Sequence, residues 1–155
     1  VANFGIENDP NSNEIYNLFY SFLDKTAKAE KKEHVMLYLL KFQLKIIEIA
    51  GYSIEFEKCV KCLKSVKPEN IYFSIENGGV LCENCAAEVV KKVKIPEKLR
   101  EFLYVMSTQD FLAETKYDDL VNEKVCDTCI NLLKKYIEYY SPKRFKTQEI
   151  LEVIK

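Results

Sequence analysis

The residues of this sequence best suited to chemistry are its six cysteines, which fall as three Cys-x-x-Cys pairs: Cys59 and Cys62, Cys82 and Cys85, Cys126 and Cys129. Two residues between thiols let both sulfurs of one short turn point at a common centre. The first two pairs are separated by nineteen residues, and that arrangement lies inside the spacing range of a zinc site. Four thiolates about 2.3 Å from Zn2+ close a tetrahedron and leave no position for water or substrate, so the expected role is structural. Such sites bind in peptides with on the order of 10–16 kcal/mol at neutral pH, and that energy is free energy of folding. The segment carrying the ligands should therefore depend on the metal more than the rest of the chain does. Ordinary buried thiols, two redox pairs and an iron–sulfur cluster are the alternatives; two symmetric knuckles around a turn suit zinc better than a cluster.

Cys126 and Cys129 differ, because they lie within a long apolar periodicity and both sulfurs extend its buried face. Free cysteine behaves there as a small hydrophobe, and we read the pair as core. Its functional alternatives are a redox pair, whose thiolate would want a helix N-terminus rather than a helix middle, and a metal half-site completed by a partner chain. His34 is the single histidine, so a histidine-rich metal centre is excluded and a histidine-based triad lacks a partner motif. Neither a Gly-x-Ser-x-Gly elbow nor a phosphate-cradling glycine loop occurs. The expectation is a binding protein and not an enzyme, with a thiol–disulfide enzyme using Cys126 and Cys129 as the alternative. Two basic clusters offer contacts to phosphate: Lys58, Lys61, Lys64 and Lys67 around the first cysteine pair, and Lys143, Arg144 and Lys146 near Tyr136, Tyr139 and Tyr140, whose rings offer stacking surface.

These groups must be positioned by a mainly α fold. Asp9 and Pro10 read as a helix start, followed by Ile15, Leu18, Phe19, Phe22 and Leu23 at helical spacing on a one-sided surface helix. The charged run from Lys28 to Glu33 reads as a connection. From His34 to Ala50 most positions are apolar, and His34, Tyr38, Lys41, Lys45 and Glu48 form one narrow polar stripe with Gln43 as the departure. A helix with so little polar surface belongs at the centre of the core, and Gly51 ends it. Ile71 to Ile75 and Val80 to Leu81 flank Asn77-Gly78-Gly79, the residues of a tight hairpin turn with positive φ. Helices should return over Glu83 to Val93, after Pro96, and across about Asp119 to Tyr140, with Leu120, Val125, Leu132, Leu133, Tyr136, Ile137 and Tyr140 on the apolar face. The tail after Pro142 reads as basic, then weakly helical. The expected architecture is a helical bundle, one domain over residues 1–155, with a small four-cysteine zinc-binding β-hairpin insert at about 53–88.

At 155 residues, folding can bury roughly 70% of the unfolded surface, so a core needs no staple for bulk reasons. The composition is 48% hydrophobic and 30% charged, near the globular average. A net charge of −1 excludes a surface built throughout to hold phosphate, leaving local patches. No secretory pattern opens the chain, and its most apolar stretch, from Val35 to Ala50, is short and interrupted by charge. A cytoplasmic protein with reduced thiols and no membrane contact is expected. The first residue is Val1 rather than Met, consistent with a processed product or an excised piece.

Around the cysteines the sequence resembles the RecO family. A Phe on the preceding helix, Gly-Tyr, a Cys-x-x-Cys, then Phe-Ser, Gly-Gly and a second Cys-x-x-Cys are matched by Phe42, Gly51-Tyr52, Cys59 and Cys62, Phe73-Ser74, Gly78-Gly79, Cys82 and Cys85. Flanking segments agree more loosely from about Asn8 to Phe145. Ile54 stands where the family often has Pro, Leu63 where it often has Gly, and the third cysteine pair lies outside the pattern. The resemblance implies the C-terminal helical and zinc-binding part of a bacterial recombination mediator, without the oligonucleotide-binding barrel with which the family begins. Such proteins bind single-stranded DNA, promote annealing and, with the partner RecR, load recombinase onto DNA covered by single-strand-binding protein. A groove of Tyr, Phe and Leu rimmed by Lys or Arg would hold that protein's acidic tail. Cytoplasmic, nucleoid-associated action follows from the resemblance. The competing expectation is a generic zinc-stapled interaction module.

Overall fold

A computed structural model describes residues 10–113 and 122–141. Its first two helices are α1 (Pro10–Lys28) and α2 (Lys32–Ile49), so the connection between them is shorter than the expected charged run. α2 is the central helix: it packs against α1, against α4 (Glu97–Thr108) and against α5 (Glu123–Tyr140). Met36, Leu37, Leu40, Leu44 and Ile47 form its buried face. It ends as the glycine requires. Gly51 takes φ 85°, its N–H donates to Glu48 O and that of Tyr52 to Ile47 O, the paired bonds of a Schellman cap.

The polar stripe of α2 is not uniformly solvated. Lys41 is only 3% exposed, and its Nζ donates to Ala113 O at 2.8 Å. Burial lowers its pKa from the usual lysine value, opposed by nearby Asp110. Gln43 keeps its Oε1 buried without a hydrogen-bond partner among the described residues. On α1, Leu18 is buried while Leu23 is exposed beside Tyr16 and Tyr20, so the apolar face is narrower than expected. Phe42 of α2 meets Phe22 at 4.8 Å between ring centroids.

The segment between α2 and α4 holds β1 (Ile71–Ser74), β2 (Gly79–Leu81), the four-residue α3 (Glu83–Ala86) and β3 (Val93–Ile95). β1 and β2 make the expected antiparallel pair, with Tyr72 opposite Leu81 and Phe73 opposite Val80. Between them only Gly78, at φ 77°, needs positive φ. The expected helix over Glu83 to Val93 stops after one turn, and the chain returns as β3, pairing Ile71 with Ile95. Val89, Val90 and Val93 are β-branched and poor helix formers, and Pro96 holds the preceding residue extended. The result is a three-stranded sheet of order β2-β1-β3 rather than a lone hairpin.

The sheet has two different neighbours. Ile71, Phe73 and Val80 join the main core with α2, α4 and α5, whereas Leu81 joins a smaller cluster with Cys59, Ala86 and Val89, against which Tyr72 packs. Arg100 of α4 ties helices to sheet: it binds Glu97 through Nε and Nη2 and donates from Nη1 to Phe56 O at 3.0 Å. That pairing holds the Glu97 carboxyl below its ordinary pKa. α5 starts at Glu123 with Asn122 as cap, its side chain accepting from Val125 N at 2.8 Å, later than the expected start near Asp119. Leu120 and the tail after Pro142 lie outside the described residues. No described helix is long and apolar enough to cross a membrane.

Candidate metal centre

The first knuckle is a tight hairpin. Lys58 and Ser65 form an isolated bridge, Cys59 N–H donates to Lys64 O at 2.9 Å, and Leu63 N–H donates to Cys59 O at 2.8 Å. It is anchored on the outer edge of β2 by Val60 N–H to Val80 O, Val80 N–H to Glu55 O and Glu55 N–H to Gly78 O. This close approach explains Gly79. A Cβ there would lie 2.4 Å from Glu55 O, so the second glycine of the pair provides room and the first provides conformation.

The second knuckle follows β2 directly, with Cys82 as the N-cap residue of α3 and Cys85 within it. The four sulfurs of Cys59, Cys62, Cys82 and Cys85 all lie within 4.8 Å of one another, and those of Cys62 and Cys82 are 3.8 Å apart. A tetrahedron with Zn–S bonds of about 2.3 Å has edges of about 3.8 Å, far longer than the roughly 2.05 Å of a disulfide. All six cysteines are free thiols. The donor set is all sulfur and closed, which suits a soft or borderline cation such as Zn2+.

Two of the four thiols are shifted in opposite directions. Burial pushes the Cys59 thiol up, but backbone N–H groups of Cys62, Cys82 and Lys61 and the Cys62 thiol outweigh it, leaving Cys59 at about 6. Hydrogen bonding with Cys82, then burial and its contacts with Cys59 and Cys62, raise Cys85 to about 12. A divalent ion held by all four would override this difference, because a coordinating thiol is deprotonated outright.

Leu63 follows the last ligand of the first knuckle with φ 62°, the one non-glycine residue at positive φ among the described residues. It is 70% exposed. Left-handed backbone costs a side-chain-bearing residue about 1–2 kcal/mol, which glycine avoids. The position of Leu63 directly after Cys62, where the resembled family often has Gly, is the sequence signal for this backbone.

The remaining candidates separate clearly. Lys58, Lys61, Lys64 and Lys67 are all exposed on the first knuckle and its exit. Lys61 Nζ lies 3.8 Å from Glu88, linking the knuckles. Lys143, Arg144 and Lys146 lie outside the described residues. Tyr136 and Tyr140 do not offer the expected stacking surface: Tyr136 is 2% exposed, and their hydroxyls donate to Tyr52 O and Ile75 O at 2.9 and 2.7 Å. Cys126 and Cys129 are wholly buried in the main core, yet Cys126 occupies the first turn of α5 rather than a helix middle, its N–H bonded to Asn122 O. Burial, with the Asp127 and Glu33 carboxylates, raises its thiol to about 11. Burial raises Cys129 to about 12. The helix N-terminus does not activate this pair.

A cleft of about 470 Å³ lies between the sheet segment and α4, lined by Glu57, Ser65, Val66, Arg100, Glu101, Tyr104 and Val105. It lacks the expected Phe and Leu, its Arg100 is already held by Glu97, and its two further carboxylates oppose an acidic peptide.

A family model described as recombination protein O C terminal matches residues 2–149. DNA repair protein RecO of Desulforamulus reducens is 28% identical over 150 residues, covering 96% of this chain and 56% of that protein. Its namesake in an Exiguobacterium species is 32% identical over 110 residues, covering 71% and 42% respectively, and that of Syntrophus aciditrophicus is 22% identical over 155 residues, covering 99% and 58%. The chain thus spans about half the length of these curated relatives. No solved structure gives a significant match.

Proposed function

The chain belongs to the recombination protein O C-terminal family, and on that footing we propose that it is the helical, zinc-stapled part of a DNA-repair mediator that acts by binding rather than by catalysis. The observation that carries this reading is the family match over nearly the whole chain, at residues 2–149, with relatives named for DNA repair. We assign Zn2+ to Cys59, Cys62, Cys82 and Cys85, where a closed tetrahedron supplies structure and no reaction. The zinc-binding insert at about 53–88 acts as part of one domain over residues 1–155, which the shared core of helices and sheet supports.

Single-stranded DNA is met by Lys58, Lys61 and Lys64 on the first knuckle, with Lys143, Arg144 and Lys146 as further phosphate contacts. A zinc centre with four thiolates is itself net negative, so these cations act on the outer side of the loop, and binding by this chain alone is modest. RecR and the tail of single-strand-binding protein are the protein partners, and action is cytoplasmic at the nucleoid. In the mediator, such contacts hold a DNA strand and a partner together, which promotes annealing and recombinase loading by proximity. The buried, high-pKa Cys126 and Cys129 disfavour a thiol–disulfide enzyme.

The test is binding of a labelled oligothymidylate to the zinc-loaded chain across a salt series. Six cation–phosphate contacts give a log–log slope of about −4, reduced by about one sixth in a Lys58→Gln variant. Absence of binding at low salt would remove the DNA contact from this chain.

A further inference from the structure

We infer that Leu63 is an apolar wedge that seats against an unstacked base of single-stranded DNA while the neighbouring lysines hold the flanking phosphates. This rests on the DNA-contact reading above and adds the base-side half of the contact. Two independent observations meet at the residue. Its backbone is left-handed at φ 62°, a conformation that glycine takes without penalty, and its side chain is 70% exposed, so burial in the fold does little to offset the strain. Strain maintained at an exposed tip points to a use outside the fold.

The surroundings select the occupant. The hairpin closes between Lys58 and Ser65 and places Lys61, Cys62 and Leu63 at its tip, with Lys64 next in line and Lys67 beyond. Lys58, Lys64 and Lys67 are in no ion pair among the described residues. Of the nearby acids, Glu55 is engaged with the backbone N–H groups of Glu57 and Lys58, Glu57 lines the cleft with Arg100, and Glu88 lies 3.8 Å from Lys61. The tip therefore offers one bare apolar group amid cations. That footprint is far smaller than a stable protein interface, and one leucine is too little apolar surface to anchor a loop in a bilayer. A nucleotide presents an anion and an apolar ring face together, and only in a single strand is the face free.

The experiment compares the zinc-loaded chain with Leu63→Gly, Leu63→Asn and a Lys58→Gln/Lys64→Gln double variant, on oligothymidylate and on the same oligomer with central abasic sites. Leu63→Gly and Leu63→Asn, which both accept the backbone, should bind oligothymidylate roughly fivefold to tenfold more weakly, the scale of partly burying one leucine. Their melting temperatures should be unchanged or raised. Wild type should lose a similar factor on the abasic oligomer, and the Leu63 variants should lose little more. Unchanged affinity in either Leu63 variant, or an equal abasic loss in variant and wild type, overturns the wedge. If the lysine variant alone weakens binding, the phosphate contact stands and the wedge fails. If wild type binds no oligomer at low salt, the DNA-contact reading itself fails.

Discussion

Replacing Gly79 by alanine should damage this protein more than replacing Gly51, although only Gly51 has a backbone that disfavours a side chain. At Gly51, φ is +85° and no atom lies within 4 Å of an added Cβ, so Gly51→Ala should cost about 1 kcal/mol of conformational strain. At Gly79 the Cβ would meet Glu55 O at 2.4 Å and Glu55 N and Cβ at 3.0 Å, all fixed by the bonds from Glu55 N–H to Gly78 O and from Val80 N–H to Glu55 O, 3.1 and 2.9 Å long. The strand segment must move outward by about an ångström, which breaks both bonds at about 1 kcal/mol each and leaves the N–H of wholly buried Val80 without a partner, for about 3 kcal/mol in total. The same shift carries Cys59 and Cys62 away from Cys82 and Cys85. Urea unfolding of the zinc-loaded variants, alongside competition for zinc with a chromophoric chelator, separates the two effects. Gly79→Ala should lose roughly tenfold or more in zinc affinity and Gly51→Ala none. Equal stability losses with zinc affinity unchanged in both would refute the argument that room for Glu55 holds the two knuckles together.

Elemental analysis should find one zinc per chain in wild type and in Cys126→Ser, and loss of it in Cys82→Ser; the opposite pattern would move the metal to the third pair. Chelation should abolish amide protection at Val60, Leu63 and Ala86 while leaving helical circular dichroism nearly intact, and collapse of the helical signal would show that the main core needs the metal. The folded-state pKa of Glu97 is depressed by Arg100, so the unfolded chain binds the proton more readily. Its contribution is fully present above the unfolded carboxylate range and disappears as pH falls through the folded value. Stability curves of Glu97→Gln should accordingly lie below wild type near neutrality and converge with it in acid.

The cysteine spacing is sufficient to find the four-sulfur cluster because a Cys-x-x-Cys turn is local geometry, and two such turns carry most of the cluster within them. α2 is legible for a similar reason: a nearly continuous apolar run leaves a helix no solvated face broad enough for the surface. Properties set by neighbours distant in sequence escape this kind of reading. Lys41 falls on a polar stripe by spacing, and only the return of the chain at Ala113 buries it. The residues from Glu83 to Val93 carry helix-compatible charges and alanines, yet pairing with β1 draws their end into a strand. Gly79 looks like half of a turn motif until Glu55 is placed against it. Tyr136 and Tyr140 look like a stacking platform until their hydroxyls find Tyr52 and Ile75.

The alternation of side chains along β1 and β2 explains why a single small sheet can serve two purposes. Successive residues of a strand point to opposite faces, so Val80 enters the helical core while Leu81 enters the cluster beneath the cysteines. Phe73 and Tyr72 divide in the same way. One face is therefore fixed by a core of helices that needs no metal, and the other carries a patch of four buried residues, Cys59, Leu81, Ala86 and Val89, too small to order two loops by burial alone. A metal held by the four thiols would replace the missing core at that position. Lys58, Lys61, Lys64 and Leu63 all belong to the loop so ordered, whereas Cys126 and Cys129 lie in the helical core on the opposite side. On the function proposed above, metal content should thus govern the lysine-bearing loop and leave the scaffold standing, which would make a metal at the four thiols a local determinant of loop order rather than of fold.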